Sequence, residues 1–197
     1  MSPATDLLER VERRYRDLEA YSDRGVVEAS GFGGESRGTF VTAFSRPVSL
    51  DFSFDGESGI GVAIQCRLRS AGGETTLSCF GEDEEPDSLA LGVAGASGAT
   101  FGAAHVTSAL LLPEAVGGWP VVDLVSARLL SGSSINDVEC SVVEGLHPQA
   151  DPPLTVTLCV GLQNALLYRV EQRYLMEGVE ERLCITYTPE LRRPTIG

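Results

Sequence analysis

Apolar residues recur at Leu7, Leu8, Val11, Tyr15 and Leu18, while Arg10, Glu12, Arg13, Arg14, Arg16 and Asp17 fill the positions between them. That spacing predicts an amphipathic helix over residues 5–20. Ser2 is its expected N-cap, and Pro3 sits in its first turn. From Gly25 the period changes to two. Leu50, Phe52 and Phe54 alternate with Ser49, Asp51 and Ser53, and Val62, Ile64, Cys66 and Leu68 alternate in the same way. Gly31-Phe32-Gly33-Gly34, Ser45-Arg46-Pro47, residues 55–59 and Ala71-Gly72-Gly73 punctuate these runs as turns. Residues 25–80 therefore read as a meander of antiparallel strands.

The character changes twice more. The acidic block 82–87 reads as a solvated loop. Residues 88–116 are apolar but broken by Gly92, Gly95, Gly98 and Gly102. They predict short helices in close contact with an apolar surface, with Ser88 as an N-cap and Pro113 limiting the last helix. Gly117-Gly118-Trp119-Pro120 is a linker. Residues 121–188 form a second meander. It opens on a mixed apolar stretch to Leu130 with no clear period, then alternates over 137–145, 155–160, 165–175 and 180–187. Arg169, Glu171 and Arg173 share one face, so that face is wet and the other is covered. The 197 residues read as a single domain.

Composition narrows the function classes. The 43% hydrophobic content supplies a real core. Fifteen basic residues against twenty-eight acidic ones give a net charge of −13. Such a chain is a poor partner for phosphate backbones, so nucleic acid is not an expected ligand, and neither is adhesion to anionic lipid. No integral membrane segment is predicted. No secretory leader pattern follows Met1, which would place the chain in the cytoplasm if Met1 is the native start.

Candidate chemistry is sparse. The five cysteines contain no C-x-x-C and there are two histidines, His105 and His147, so no metal site or cofactor is expected. The cysteines read as buried thiols, although Cys66 and Cys79 flank one predicted hairpin and a disulfide between them stays open. Gly95-Ala96-Ser97-Gly98-Ala99 is close to a nucleophile elbow, with Ala99 where the closing glycine belongs and on a helix rather than a strand-to-helix turn. His105 would be the base of a Ser97 hydrolase, but no oxyanion motif accompanies the pair. His105 otherwise reads as a polar tip on an Ala-rich helix, and His147 as a turn residue before Pro148. Glu144 and Glu171 are both flanked by solvent-type residues, so neither is expected to be an acid catalyst. No catalytic residue is assigned.

The order of helix, meander, apolar helical insert and second meander resembles the lipoprotein-carrier (LolA/LolB-like) superfamily, in particular a bacterial branch of carrier-like proteins. The likeness rests on three stretches: residues 11–25 entering the first strand, residues 40–54 with Arg46-Pro47 between aromatic strands, and residues 138–148 followed by 154–170. The Gly/Ala-rich insert at 88–113 also fits. The resemblance implies an α+β fold, in which a curved, incompletely closed antiparallel β-sheet (a half-barrel) carries an N-terminal helix and a helical insert on its concave face. It also implies a periplasmic or cell-envelope location. Glycine-rich strands support such curvature independently. The function so implied is non-catalytic binding of a hydrophobic small molecule, a lipid or an acyl chain, in the concave face. The expected lining is Phe40, Phe44, Leu50, Phe52, Phe54, Val62, Ile64, Leu91, Phe101, Leu110, Leu111 and Trp119. Sensor relatives imply an alternative, a module that binds another envelope protein. The third function class is the Ser97 hydrolase, and the reading that competes with any cavity is an insert that packs dry onto the sheet and leaves no site.

Overall fold

The computed structural model describes residues 2–31 and 34–190. The first helix, α1 (Pro3–Arg16), is capped by Ser2, whose Oγ accepts from the Thr5 amide at 3.2 Å. It buries Leu7, Leu8, Val11 and Tyr15 as the spacing predicts, but it ends at Arg16 rather than at residue 20. Ala20 already belongs to β1 (Ala20–Gly31), because Tyr21 and Asp23 are buried in strand alternation. The first meander continues through β2 (Gly34–Ser45), β3 (Ser49–Glu57), β4 (Ala63–Ala71) and β5 (Glu74–Cys79). Phe32 and Gly33 of the expected first turn lie outside the described residues. Asp55, Gly56 and Glu57 are not a turn as expected; they complete β3, with Gly56 opposite Gly38.

The acidic block also departs from the reading. Glu82–Glu84 pairs with β5 as a short, fully exposed strand, β6. Its charges stand on a sheet edge, where they discourage pairing with a foreign strand. The insert forms α2 (Leu89–Ala99), α3 (Ala103–Leu111) and α4 (Pro113–Val116). Ser88 caps α2, and Pro113 follows the end of α3 and opens α4. The second meander is β7 (Val125–Ile135), β8 (Val138–Leu146), β9 (Thr155–Gly161), β10 (Leu167–Met176) and β11 (Val179–Glu190).

All eleven strands belong to one antiparallel sheet, in the order β6-β5-β4-β3-β2-β1-β11-β10-β9-β8-β7. The sheet is not closed: β6 and β7 are its edges. The two halves of the chain meet at its centre, where β1 pairs with β11. The helices share its inner face. α2 lies on β4 and β5, and α1 reaches β7 and α3. Cys66 and Cys79 stand directly opposite one another on β4 and β5 and are joined by a disulfide. Cys140, Cys159 and Cys184 are free and buried.

Glycines on the inner face accommodate the aromatic rings. Gly25 of β1 pairs with Phe40 of β2, and the Phe40 ring covers it so closely that a Cβ there would lie 2.3 Å from Cζ. The Phe54 ring covers Gly38 in the same way, at 2.1 Å, and also leaves no room at Gly56. A strand glycine under a ring lets the sheet bend inward while the ring restores lost packing. Gly92 plays the corresponding part in α2, where a Cβ would meet Leu68 and Thr75 at 2.8 Å. Arg46, in the turn between β2 and β3, clasps the helices. It donates to the backbone carbonyls of Arg16, Leu18 and Leu111 and lies 5.4 Å above the Phe44 ring. A guanidinium at these helix ends satisfies carbonyls left without an intrahelical partner.

Two substitutions separate fit from propensity. Gly38→Ala forces a methyl into the Phe54 ring and is expected to cost about 1–3 kcal/mol in urea denaturation. Gly98→Ala, on the exposed side of α2 with nothing within 4 Å, is expected to stabilise by about 0.5–1 kcal/mol.

Candidate functional site

The predicted lining residues separate into three groups. Phe40, Phe44, Leu50, Phe52, Phe54, Ile64, Leu110 and Leu111 are at most 5% exposed and belong to one packed cluster. They fill the hollow over β2–β4 with the protein's own atoms. Phe40 contacts Phe52 and Tyr187 at ring-centroid distances of 5.9 and 5.5 Å. Val62 and Leu91 are corrections. Val62 lies before β4 begins and is 48% exposed, and Leu91 is on the side of α2 turned away from the sheet, 57% exposed. Phe101 and Trp119 remain, and they meet at a cavity.

This cavity, about 390 Å³, lies between the α2–α3 corner and the inner face of β10 and β11. The corner supplies Ser97, Phe101, Gly102, His105 and Val106, the linker supplies Trp119 and Val121, and the sheet supplies Gln172, Leu183 and Ile185. Phe101 has φ 53° and Gly102 has φ 81°, so the chain turns through two left-handed residues in succession. A bulky side chain pays for that backbone only where its surroundings hold it. Here the ring packs edge-on against Phe54 at 6.3 Å while it also lines the cavity. The Trp119 indole donates to the Asp123 carbonyl at 2.8 Å and its ring lies on His147 at 4.0 Å. His147 is a turn residue as expected, its Nδ1 accepting from the Gln149 amide.

Ser97 and His105 thus line the same cavity, yet their bonds do not form a nucleophile and base. The Ser97 hydroxyl donates to the Val93 carbonyl at 2.6 Å, one turn back in its own helix. His105 Nε2 lies 3.3 Å from the Gly117 carbonyl. The proton that a base would have to take from Ser97 is committed elsewhere. Gly118, with φ 78°, allows this closeness, since a Cβ there would stand 2.6 Å from His105 Nε2. Sequence reasoning had no signal for Gln172, Leu183 and Ile185, which only the pairing of β10 with β11 brings under the corner.

On the outer face, Glu144 and Glu171 are less solvated than their neighbours in sequence suggest, 17% and 20% exposed. Arg128 and Arg173 reach Glu144, and Arg173 and Arg182 reach Glu171. Inside, Asp23 of β1 is 2% exposed and accepts from the Tyr21 hydroxyl at 2.6 Å. Tyr15 packs against Tyr21 at 5.4 Å and accepts from the Leu167 amide. Burial pushes the Asp23 carboxyl up to about 6, while Tyr21 and Thr42 pull it back and Glu190 adds to the rise. Burial likewise raises the Tyr15, Tyr21 and Tyr187 phenols. Among the described residues no group of three His, Cys, Asp or Glu side chains is placed to hold a metal ion, and no helix is long and apolar enough to cross a membrane.

No family model matches the chain, and no curated protein matches it in sequence. Solved structures do share its fold. A chain of the Pseudomonas aeruginosa MucA/MucB complex aligns with TM-score 0.51 and 15% identity over 98% of this chain, which spans 59% of that one. LprF from Mycobacterium bovis aligns with TM-score 0.55 and 12% identity, covering 95% of this chain and 92% of its own. The Mycobacterium tuberculosis lipoprotein LppX gives 0.50 and 11%, covering 95% of both chains. The chain therefore shares the fold of these structures, an open antiparallel sheet with an N-terminal helix and a helical insert, as the resemblance implied.

Asp23 makes stability depend on pH. Its folded value lies above the ordinary 3.8, so the folded state holds the proton more tightly. The stability this gives is fully present below about pH 4 and is lost as pH rises through about 6, a difference of up to about 3 kcal/mol. Asp23→Asn, which still accepts from Tyr21, is expected to remove that loss. Urea denaturation of both proteins between about pH 4 and pH 8 should show the variant gaining on the native chain as pH rises.

Proposed function

We propose that this protein binds a hydrophobic small molecule, a lipid or single acyl chain, in the cavity between the α2–α3 corner and β10–β11, and performs no bond chemistry on it. The observation that carries this reading is the cavity on the inner face, walled by Phe101, Val106, Trp119, Val121, Leu183 and Ile185. Its roughly 390 Å³ falls at the small end of ligand pockets, which run from about 300 to 1,000 Å³. Binding there is burial of apolar surface, about 25 cal/mol per Å². The packed cluster over β2–β4 leaves the guest only the second half of the hollow. The sequence's likeness to lipoprotein carriers supports the same class of ligand.

A second reading, a module that binds another protein, draws support from a different surface. Among the described residues edge strand β7 is unpaired on one side, and it exposes Val125, Leu129 and Leu130. An unpaired apolar edge accepts an added strand. One of the similar structures is also a chain of a two-protein complex.

The first reading is tested by filling the cavity. Trp119 is the single tryptophan and stands in its wall, so its emission reports occupancy. Ser97→Phe is expected to weaken uptake of a fluorescent fatty-chain probe at least about tenfold, or 1.4 kcal/mol, with the melting temperature little changed. Equal uptake by a folded Ser97→Phe protein places the guest elsewhere.

A further inference from the structure

The hydrogen-bonding groups of the same cavity go further and select the head group of its guest; this step rests on the cavity being the binding site. Three polar side chains line it, Ser97, His105 and Gln172, and none of its lining residues is Lys, Arg, Asp or Glu. Ser97 gives its one hydrogen to the Val93 carbonyl, so its Oγ retains lone pairs only. A carbonyl oxygen does not donate, so His105 Nε2 carries the hydrogen shared with Gly117. In a neutral imidazole the remaining nitrogen, Nδ1, is then an acceptor. The α2–α3 corner thus offers acceptors. The Gln172 amide, which makes no side-chain hydrogen bond among the described residues, can turn either end toward a guest.

We infer that the guest is a neutral amphiphile whose head is a hydroxyl donor, such as a long-chain alcohol or a sterol-like molecule, rather than a fatty acid. An alcohol donates to one of the corner's acceptors and accepts from the Gln172 amide. A carboxylate only accepts. It would bring a full charge into a site with no cation, face lone pairs at Ser97 and His105, and have the Gln172 amide as its donor but no counter-ion.

The test uses the full chain at about pH 8 and two fluorescent polyene probes of one chain length. One ends in a primary alcohol and the other in a carboxylate, and Trp119 emission reads both. The alcohol is expected to bind at least about tenfold more tightly. Ser97→Ala combined with His105→Leu is expected to bring the two within about twofold by weakening the alcohol alone. The milder Ser97→Ala gives the same direction should the double variant fold poorly. A carboxylate that binds as tightly as the alcohol overturns the head-group inference and leaves the cavity reading standing. An unchanged ratio in the folded variants overturns it too, because the head then lies away from these acceptors. Failure of both probes to bind sinks the cavity reading itself.

Discussion

The fold depends on the contact between phenylalanine rings and the glycines they cover. Phe40 lies on Gly25, and Phe54 lies on Gly38 and Gly56, all on the inner face of neighbouring strands. A side chain at any of these glycines would hold the strands apart from the rings and flatten the sheet. Without the bend, eleven strands in one layer could not enclose four helices and would expose both faces. The same rings that cover the glycines also fill what the bend creates, because Phe40 stacks on Phe52 and Phe54 packs edge-on against Phe101 of the insert.

That double duty explains why the hollow is unequal. Over β2–β4 the rings, the α2 glycines and the helical alanines belong to one closely packed cluster. Over β10–β11 the inner face carries Gln172, Leu183 and Ile185, and the insert turns away sharply at Phe101 and Gly102. Arg46 fixes this arrangement from the far side by holding the ends of α1 and α3 with one guanidinium. The cavity is thus what remains where helix and sheet diverge.

Much of this was legible in the residues. The stripe of Leu7, Val11 and Tyr15 marked α1, and alternation at Leu50, Phe52 and Phe54 marked β3. Strand β7 was not legible, because an edge strand exposed on nearly every position and interrupted by two register shifts carries no period. Gly56 reads as a turn residue by local propensity, but pairing with Gly38 makes it a strand position. The cavity was half legible. Phe101 and Trp119 are large apolar residues beside glycines, whereas Gln172, Leu183 and Ile185 look like any other strand residues until register sets them beneath the corner. Apolarity alone also nominated eight residues that turned out to be solid core, since the pattern distinguishes inside from outside and not filled from hollow.

The central seam has a bearing on how the molecule is made. The first and last strands are neighbours, with Ser22 donating to a carbonyl 168 residues away at Glu190. As the chain leaves the ribosome, β1 to β6 and the insert can assemble from near neighbours, but one side of β1 must wait for the final strand to emerge. For that interval the middle of the finished sheet is a bare edge, open to any extended segment nearby. The period of greatest risk of misassembly is therefore late in synthesis, and it ends only when β11 arrives.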